Sequence, residues 1–459
     1  MTRWTVGQLL EATGGRLLVG GSEAEVSGLT LDSRRVRPRD AFLAIRGPRF
    51  NAHAFIPEAV TRGAACLIVS EPTSEGGGVP SVLVDDTAKA LGAIAACHRR
   101  RFSIPVIAVT GSCGKTTTKE LIAHLLSGSL TLTKTHGTEN NHIGVPLTLL
   151  RLTQEHQSAV VELGTNHPGE IRYLAGLVRP TAAVITNVGP AHLEFFGSFQ
   201  GILQEKLSLL DALEPGGWAV LPGDQLEVLL EANARLKPGV SIVTFGTSDR
   251  SEVQGVDIQR DGDGLSMRVR DVAGRFTMPL PGSHNLENTL AALACVKAMG
   301  IPLESVRERL AGFVAPPLRS QVIRRGGLTV INDCYNANPL SFARALEVLR
   351  DLDVRRRVVI AGDMLELGEF SRSAHRTIGR LAAEHHVDLI IAIGEFADEV
   401  AQGAAEPGDT ATLVCRTLEE LRSVVGSAVQ DGDGVLIKGS RKLKLEQASE
   451  WLLGADPLT

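Results

Sequence analysis

Residues 106–118 read VIAVTGSCGKTTT and decide the fold class of this 459-residue chain. An apolar, β-branched run ends at Thr110, a glycine-rich turn follows, and Lys115 begins a helical stretch. A strand, turn and helix in this order direct backbone N–H groups and the positive helix end toward phosphate oxygens. Lys115 would reach the β- and γ-phosphates of a nucleotide, and the Thr116 hydroxyl would hold Mg²⁺. The stretch therefore predicts a phosphate-binding loop in an α/β domain.

The loop departs from the common G-x-x-x-x-G-K-[ST] pattern because its spacing is G-x-x-G-K-T. The strand, turn and helix order still favours a phosphate loop over an ordinary turn with a helix cap. Cys113 has no obvious base beside it, so we interpret it as a filler side chain whose backbone amide serves the loop. No N-K-x-D guanine motif occurs in the chain, which favours ATP over GTP. The predicted ATP-binding residues of the loop are Thr110, Gly111, Ser112, Cys113, Gly114, Lys115, Thr116 and Thr117.

The surrounding sequence alternates short β-branched runs with helical periods. This alternation is typical of parallel strands joined by crossover helices, whose ligand sites lie beyond the carboxyl ends of the strands. The C-terminal third repeats the pattern and predicts a second open α/β unit. The expected strands are 106–110, 159–163, 182–187, 329–332, 357–361, 389–394 and 435–438.

The length of the chain predicts about three domains at roughly 150 residues each. Composition breaks at residues 71–78 and 314–317, rich in Gly and Pro, suggest the boundaries. We expect an N-terminal α/β domain at 1–86, a central phosphate-loop domain with a mostly parallel sheet at 87–316, and a Rossmann-like C-terminal domain at 317–459. The Asp-Gly repeats at 261–264 and 431–434 predict turns rather than calcium loops, because the other EF-hand ligands are missing.

Composition points to a small-molecule partner. Lys and Arg total 47 against 52 Asp and Glu, a net charge of -5, and no segment concentrates the basic residues, which argues against nucleic-acid binding. Aromatic residues are 4% of the chain, too few for a base-stacking platform. We expect no membrane span, since no apolar run approaches ~20 residues, and no secretory signal. Six scattered cysteines without a C-x-x-C pair predict reduced thiols, so we expect a cytoplasmic protein. We also expect a monomer.

Three ionisable residues follow the loop in an informative order. Glu162 stands at the end of an expected strand, where a metal ligand for nucleotide-bound Mg²⁺ would lie. His192 follows the next strand, and Lys206 comes fourteen residues later on a helix. Taken alone, the histidine would be a hydrogen-bonded structural residue and the lysine a solvated surface charge. Their order along the chain is what suggests a function.

These motifs together resemble the Mur ligase family of ATP-dependent amide-bond-forming enzymes, in family order along nearly the whole chain. The resemblance implies that Lys206 is carbamylated by CO₂ and, with His192 and Glu162, helps to hold a second Mg²⁺. The motifs that carry it are TGSCGKTT at 110–117, Asn140-Asn141-x-x-Gly144-x-Pro146, Glu162-x-Gly164, Thr186-Asn187 with His192 and Lys206, and Gly282-x-His284-Asn285-x-x-Asn288.

Two C-terminal segments, NDCYNANP at 332–339 and GDMLELG at 362–368, are similar to signatures of the family members that add D-alanyl-D-alanine to UDP-N-acetylmuramoyl-tripeptide. The D-N-P-R-like signature of the members that add the third amino acid is absent. The resemblance thus implies UDP-N-acetylmuramoyl-tripeptide and D-Ala-D-Ala as substrates, with ATP and Mg²⁺ as cofactors. Lysine and diaminopimelate both stay open as the third residue of the peptide.

The N-terminal segments TLDSR at 30–34 and AFLAIRG at 41–47 look like the UDP-binding module of the family. The match implies that Ser33 and Arg34 contact the uridine diphosphate, for which a bidentate Arg is suited. Two departures affect fine substrate contacts: residues 51–53 read NAH where DGH is usual, and Leu340 stands where Asp is common.

The remaining site residues are likewise implied by the resemblance. Asn288 would bind adenine, whereas Asn285 has an N-cap as its alternative role. Arg319 would reach the ATP phosphates, and for His375 we favour packing or capping over chemistry. Lys438 would add positive charge at a strand end or lie in a solvated loop. Further expected ligands of ATP are Asp333 and Tyr335, and of the substrates His53, Asn140, Asn141, Asn336 and Asn338.

The implied mechanism is activation of the peptide carboxylate as an acyl phosphate, followed by attack of the dipeptide amine. Domain closure would keep water from the acyl phosphate. Two alternatives stay open. A folylpolyglutamate synthetase would share the loop but lack the UDP module and the YNANP run, and a nucleotide switch would need none of Glu162, His192 and Lys206.

Overall fold

A computed structural model describes residues 3–48, 50–190, 193–408 and 410–454. The fold is α/β with sheets that are mainly parallel. The chain forms two compact units. The first comprises Met1–Ala108, Leu130–Gly164 and Arg172–Pro180, and the second comprises Val109–Ser129, Thr165–Ile171 and Thr181–Thr459. The strand Val106–Thr110 and the helix Glu170–Val178 contribute residues to both units.

A five-stranded sheet organises the first unit. Its two faces are covered separately because alternate strand residues point to opposite sides. Phe42 and Leu67 pack in one core cluster with Ile56, whereas Leu43 and Ile68 pack in another that includes helix residues Leu91 and Ile94. Only its first pair of strands is antiparallel. The strands, in spatial order, are Arg16–Val19, Ser81–Leu83, Cys66–Val69, Asp40–Leu43 and Gly28–Thr30.

Two helices of the first unit begin at side-chain caps. Thr5 and Gln8 form a capping box at the first helix, and Asp86 accepts hydrogen bonds from Ala88 N and Lys89 N at the third. The α-helices are Val6–Thr13, Ile56–Thr61, Thr87–Arg99 and Gly144–Leu150. The other paired strands within the unit are Trp4–Thr5 with Glu25–Val26, Arg46–Gly47 with Phe50–Asn51, and Leu132–Lys134 with Ser158–Glu162.

The second unit contains two sheets, of which the first carries a run of parallel strands and then a meander. Its strands, in order, are Ala182–Ile185, Trp218–Pro222, Ser241–Gly246, Val253–Asp261, Gly264–Val269 and Arg275–Met278. The last two pairs are antiparallel. The helices before residue 312 are Lys115–Leu126, Leu193–Phe196, Phe199–Leu207, Leu226–Arg235, Ser283–Ala298 and Arg307–Ala311.

The second sheet of this unit is parallel except for its first pair. Helices cover both faces: Val358 and Ile360 belong to one core cluster, and Val359 and Ala361 to the other. The strands, in spatial order, are Gln321–Arg325, Leu328–Asn332, Asp433–Lys438, Arg356–Gly362, Leu389–Ile393 and Ala411–Cys415. The helices are Pro339–Asp351, Ser371–Glu384, Ala397–Ala405, Leu418–Ala428 and Glu446–Leu453.

The structure confirms the expected strands to within two residues at each end. The 261–264 turn joins antiparallel strands, with Asp261 paired to Gly264, and residues 431–432 form a turn before the strand Asp433–Lys438. All six cysteines are free thiols. Within the described part of the chain, no helix has both the length and the apolar character that crossing a bilayer requires.

Candidate active site

Two glycines give the phosphate loop its shape. Gly111 and Gly114 have φ angles of 150° and 80°, which L side chains rarely adopt. A Cβ on Gly111 would lie 2.0 Å from Thr186 Oγ1, and one on Gly114 would lie 2.0 Å from Asn288 Oδ1. The loop is therefore pressed against two other elements of the same unit, and only glycine fits at either position.

The loop is braced by residues that follow the strand Ala182–Ile185. Ser112 N donates to Asn187 O, and Cys113 N donates to Asn187 Oδ1, both at 3.0 Å. Cys113 O accepts from Thr186 Oγ1 at 2.5 Å and from Asn187 Nδ2 at 3.1 Å. The Cys113 amide thus serves the loop through Asn187. Thr186 and Asn187 belong to a sequence motif for which no role was predicted. Their contacts show that they hold the loop.

The helix Lys115–Leu126 begins directly after Gly114, so its N-terminus faces the loop. Lys115 Nζ donates to Gly111 O at 2.8 Å and lies 3.5 Å from Ser112 O. Thr116 and Thr117 are buried. The predicted loop residues therefore come together at the positive end of a helix with a lysine ammonium beside it, which suits an anion.

Asn288 lies behind the loop on the helix Ser283–Ala298. Its side chain is buried, accepts from Thr118 Oγ1 at 3.3 Å, and donates to Asn285 Oδ1 at 3.2 Å. The helix has Gly282 at its N-cap, so the alternative of Asn285 as an N-cap is wrong: its Nδ2 instead donates to Pro281 O.

We expect Gly114→Ala to weaken ATP binding at least 30-fold, because the new methyl group combines a strained backbone with a collision at Asn288. Gly216→Ala is the matched control: Gly216 has a φ of 86°, and a Cβ there meets nothing within 4 Å. Calorimetric titration with a non-hydrolysable ATP analogue measures both. Equal losses of ATP affinity in the two variants would show that backbone strain explains the effect without the collision at Asn288.

Lys206 is the most unusual ionisable group of the second unit. Its residue is 1% exposed, and its Nζ has no hydrogen-bond partner among the described residues. Burial, reinforced by the nearby positive charge of Lys115, holds the pKa of this amine well below its ordinary value. Glu205 and Glu170 oppose this shift in part, but the net effect on the pKa favours the neutral amine, which is a nucleophile.

Glu205, which sequence reasoning missed, anchors the helix that carries Lys206. Its carboxylate accepts from Gly169 N and Ile171 N at 2.8 Å each, and from Thr165 Oγ1 at 3.3 Å. Burial of an acid is tolerated because these donors satisfy it at the start of another helix. No spacing in the sequence indicates a contact across more than thirty residues.

Glu162, in the first unit, ends the strand Ser158–Glu162 and is 1% exposed. Its Oε1 accepts from Asn140 Nδ2 at 2.7 Å, and its backbone N donates to Thr135 Oγ1 at 2.9 Å. Asn141 Oδ1 accepts from Ile143 N and Gly144 N at the start of a helix. Of the two predicted substrate ligands, Asn140 therefore orients Glu162 and Asn141 orders the adjacent turn.

The predicted metal ligand His192 lies outside the described residues. Within residues 3–48, 50–190, 193–408 and 410–454, no cluster of three or more His, Cys, Asp or Glu side chains is arranged to hold a metal ion. Thr116 and Lys206 belong to the second unit and Glu162 to the first.

A buried ion pair lies at the carboxyl end of the strand Leu328–Asn332. Lys438 Nζ donates to Asp333 Oδ2 at 2.5 Å and to Asn336 O at 3.1 Å. Asp333 Oδ1 accepts from Ser320 N at 2.9 Å, and His284 Nε2 lies 3.2 Å from Ser320 Oγ. Lys438 is 2% exposed, so it is not part of a solvated loop.

Arg319 is held between two strained residues. Leu318 and Ser320 have φ angles of 63° and 48°, unusual for residues with side chains. The Arg319 guanidinium lies 4.1 Å from the centre of the Tyr335 ring. Such strain persists only where the surroundings impose it, and here Asp333 does so by binding Ser320 N.

Asn338 and Leu340 bring the C-terminal signature to the loop. Asn338 caps the helix Pro339–Asp351, and its side-chain O and N lie 3.6 and 3.5 Å from Cys113 Sγ. A Cβ on Gly189 would meet Leu340 Cδ2 at 2.6 Å. Leu340, which stands where Asp is common, thus packs as an apolar side chain against Gly189, which follows the strand Ala182–Ile185.

We expect His284 to make the chain sensitive to acid. Burial lowers the pKa of His284 to about 4, opposed by Asp333 and assisted by Arg344 and Lys438. Because the unfolded chain binds this proton near pH 6.5, the contribution is complete above that pH and is lost as the pH falls toward 4, about 3 kcal/mol in all. His284→Gln should flatten the dependence of unfolding free energy on pH in urea titrations. His142→Gln, at an exposed position, should leave that dependence as it is.

In the first unit, Ser33 and Arg34 lie on a short 3-10 turn after the strand Gly28–Thr30. Ser33 is buried and donates to Glu58 Oε2 at 2.6 Å. Arg34 is exposed, and its Nε and Nη2 donate to the two oxygens of Asp32 at 2.9 Å. Arg34 is therefore a guanidinium already presented in a planar, bidentate orientation.

Both ring nitrogens of His53, in the first unit, form hydrogen bonds. Its Nε2 accepts from Ser70 N at 3.0 Å, so Nδ1 carries the proton and donates to Asn51 Oδ1 at 2.7 Å. Burial lowers the pKa of His53, consistent with this neutral form. Asn51 Oδ1 also accepts from His53 N. Asn51 can therefore cap this turn although Asp is usual at its position.

His375 is buried by packing, as the sequence favoured. Its Nε2 accepts from Met364 N at 2.8 Å, its Nδ1 donates to Ser371 O at 2.6 Å, and its ring stacks on Phe396. Both ring nitrogens are occupied, so this histidine orders the residues of the 362–368 segment.

Three family models match the chain in order. They are "Mur ligase family, catalytic domain" over residues 25–99, "Mur ligase middle domain" over 109–296 and "Mur ligase, glutamate ligase domain" over 318–441. The UDP-N-acetylmuramoyl-tripeptide--D-alanyl-D-alanine ligase of Bacillus subtilis is 32% identical over 97% of this chain and 98% of its own. The chain belongs to the Mur ligase family. The enzyme of the same name from Escherichia coli is 34% identical over 96% of this chain and 97% of its own.

Solved structures of Mur ligases share the fold. MurF from Acinetobacter baumannii is 33% identical with a TM-score of 0.90 and covers 99% of both chains. MurF from Thermotoga maritima in complex with ADP is 27% identical, with a TM-score of 0.84 over 94% of this chain and 97% of that one. A folylpolyglutamate synthase from Mycobacterium tuberculosis, 20% identical with a TM-score of 0.63 over 81% of this chain and 95% of its own, shares the fold alone.

Proposed function

We propose that this Mur ligase is the ATP-dependent enzyme that joins D-alanyl-D-alanine to UDP-N-acetylmuramoyl-tripeptide, in the synthesis of peptidoglycan precursors. One observation carries the proposal: the YNANP segment, absent from the rival ligase type, caps a helix at Asn338 and contacts Cys113 of the phosphate loop. Relatives of that name match the chain over nearly its whole length.

The nucleotide would bind at the loop from Thr110 to Thr117. The helix N-terminus and Lys115 both favour the phosphates of ATP, and the MurF whose structure is solved in complex with ADP shares the fold. Asn288 would contact adenine from behind the loop. Further nucleotide ligands proposed on the C-terminal sheet are Arg319, Asp333 and Tyr335.

Residues of the first unit would bind the UDP end of the peptide substrate. Arg34, exposed and planar, suits a diphosphate, and Ser33 and His53 are proposed as further substrate ligands. Asn336, exposed next to Tyr335, is proposed for the dipeptide, with Asn338 alongside it. Asn140, which donates to Glu162, and Asn141, which orders the adjacent turn, stay proposed as substrate ligands.

The donor set fits Mg²⁺, a hard cation that prefers oxygen ligands. Thr116 offers a hydroxyl, Glu162 a carboxylate, and Lys206 would offer oxygens once CO₂ has added to its amine as a carbamate; His192 completes the proposed set. The unpartnered, buried Nζ of Lys206 is the structural observation that fits this modification. Bound Mg²⁺ would neutralise charge that develops on the transferred phosphoryl group.

The peptide carboxylate is a poor electrophile and must be activated before an amine can attack it. The terminal carboxylate of the peptide attacks the γ-phosphorus of ATP, giving ADP and an acyl phosphate, while Lys115 and Arg319 stabilise the transferred group. The free amine of D-Ala-D-Ala then attacks the acyl carbon, loses a proton, and expels inorganic phosphate. An amide bond remains.

We keep the three domains at 1–86, 87–316 and 317–459, supported by three family models that follow the same order. Six free thiols support a reducing, cytoplasmic location. A monomer remains our proposal for the oligomeric state.

The test is phosphate release from ATP with UDP-N-acetylmuramoyl-tripeptide and D-Ala-D-Ala, omitting each component in turn. Turnover only in the complete mixture supports the proposal. Release without D-Ala-D-Ala, or faster release with a folate and glutamate, would replace the substrate assignment but leave the phosphate loop intact. Nucleotide binding without turnover would favour a switch.

A further inference from the structure

Lys438 is the last residue of a strand in the middle of the C-terminal sheet. This strand, Asp433–Lys438, is parallel to the strand Leu328–Asn332 beside it, and both end at the same edge of the sheet. Asp333, the first residue after that neighbour, donates from its backbone N to Ile437 O at 3.0 Å. The register of the two strands therefore places the Lys438 side chain beside the start of the NDCYNANP segment.

The ammonium group of Lys438 has all of its donors occupied. It donates to Asp333 Oδ2 at 2.5 Å, to Asn336 O at 3.1 Å and to Asp333 O at 3.4 Å. An ammonium ion has three N–H donors, so these three acceptors satisfy it completely. A buried lysine without a free donor has nothing to offer a phosphate, and here it holds chain segments together.

Asp333 passes this constraint to the turn that carries Arg319. Its Oδ1 accepts from Ser320 N at 2.9 Å, and Tyr335 N donates to Leu318 O at 3.1 Å. The two hydrogen bonds hold the residues on either side of Arg319, and both of those residues have left-handed backbones. Such a backbone is costly for residues with side chains, so the turn keeps its shape only while these partners stay in place.

Lys438 is the counter-ion that keeps the Asp333 carboxylate in position. The Asp333 side chain is 15% exposed, and a carboxylate so little exposed needs a positive partner. In the described part of the chain, that partner is Lys438. Without the ammonium, the carboxylate would turn toward water or take up a proton, and either change would weaken its hydrogen bond to Ser320 N.

We propose that Lys438 is a positioning residue for phosphoryl transfer, which acts through Asp333 on the turn that presents Arg319. The inference deepens the proposed function and rests on it for its effect on the reaction rate, whereas the effect on the turn is independent of the substrate. A reacting group displaced by about 1 Å can lower a rate about 10²-fold, so a loosened turn is enough to slow the transfer.

The first readout is hydrogen exchange at Ser320 N, which needs no substrate. In Lys438→Met, which keeps an unbranched side chain without the charge, this amide should exchange about tenfold faster because its acceptor is no longer held. Mass spectrometry on overlapping peptides measures the rate. Arg356→Met is the matched control: Arg356 pairs with the buried Asp433 carboxylate at 2.7 Å, at the other end of the same strand. It removes an ion pair from the same sheet and should leave exchange at Ser320 unchanged.

The second readout is phosphate release in the complete substrate mixture. Lys438→Met should lower kcat about 100-fold and change the KM for ATP less than about tenfold, while Arg356→Met should stay within about threefold of the unmodified chain. If Lys438 acts through Arg319, the two losses overlap. Lys438→Met added to Arg319→Ala should therefore lower kcat by less than about threefold further.

Unchanged exchange at Ser320 in Lys438→Met would overturn the proposal, and so would equally faster exchange in Arg356→Met, which general destabilisation explains. Losses of kcat that multiply with that of Arg319→Ala would also overturn it, because Lys438 would then act on the reaction separately. If the unmodified chain shows no turnover that depends on D-Ala-D-Ala, the proposed function fails, and exchange at Ser320 alone decides whether Lys438 positions the turn. If Lys438→Met does not fold, Lys438→Gln, which keeps an N–H donor without the charge, takes its place with the same expected results.

Discussion

Lys206→Ala should lower kcat at least 10³-fold, and added acetate or formate should restore part of it. The amine is buried and has no hydrogen-bond partner in the part of the chain that the structure describes, so its removal should leave a space in the second unit that a small carboxylate can enter. Replacing a carbamate removes negative oxygens that the proposed Mg²⁺ needs, and groups that stabilise developing charge typically contribute 10²–10³-fold or more. Lys206→Arg keeps a cation, cannot form the carbamate, and should be equally inactive.

The matched control for this experiment is Lys119→Ala. Lys119 is also fully buried, but it forms an ion pair with Glu120 at 2.7 Å. Acetate should not raise the activity of that variant. Labelled bicarbonate should give a carbamate signal in the NMR spectrum of the unmodified chain and none in Lys206→Ala. More than a tenth of the activity in Lys206→Ala, or equal acetate effects in both variants, would rule out the carbamate.

The local sequence pattern was enough to predict the secondary structure elements and the phosphate loop. The β-branched run before Gly111 and the glycine spacing depend on neighbours in sequence, so the strand Val106–Thr110 and the helix after it were predictable to the residue. Continuous burial in the C-terminal strands, where Val358 and Val359 belong to different core clusters, likewise follows from a sheet covered on both faces.

Contacts between distant residues were not predictable in this way. Asn140 binds Glu162, twenty-two positions away, and Glu205 holds Gly169 and Ile171. Such hydrogen bonds depend on which strand ends meet, and periodicity carries no information about that. The resemblance supplied residue types at these positions, while the structure supplied their partners.

Arg319→Ala should lower kcat about 10³-fold while changing the affinity for ATP less than tenfold. A guanidinium that stabilises charge on a transferred phosphoryl group acts mainly in the transition state, and such arginines contribute 10³–10⁵-fold elsewhere. Arg319→Lys should recover little, because lysine lacks the planar fork and the stack on the Tyr335 ring. Tyr335→Phe keeps that ring and should retain most of the activity, whereas Tyr335→Ala should not.

Arg324→Ala is the matched control for Arg319, since Arg324 is exposed and pairs with Asp263 in the 261–264 turn. Its kcat should stay within about threefold of the unmodified chain. Steady-state kinetics at saturating substrates, with separate titrations of ATP, distinguish the two roles. If Arg319→Ala raised only the KM for ATP, the guanidinium would bind the ground state, and the strained backbone at Leu318 and Ser320 would serve binding rather than phosphoryl transfer.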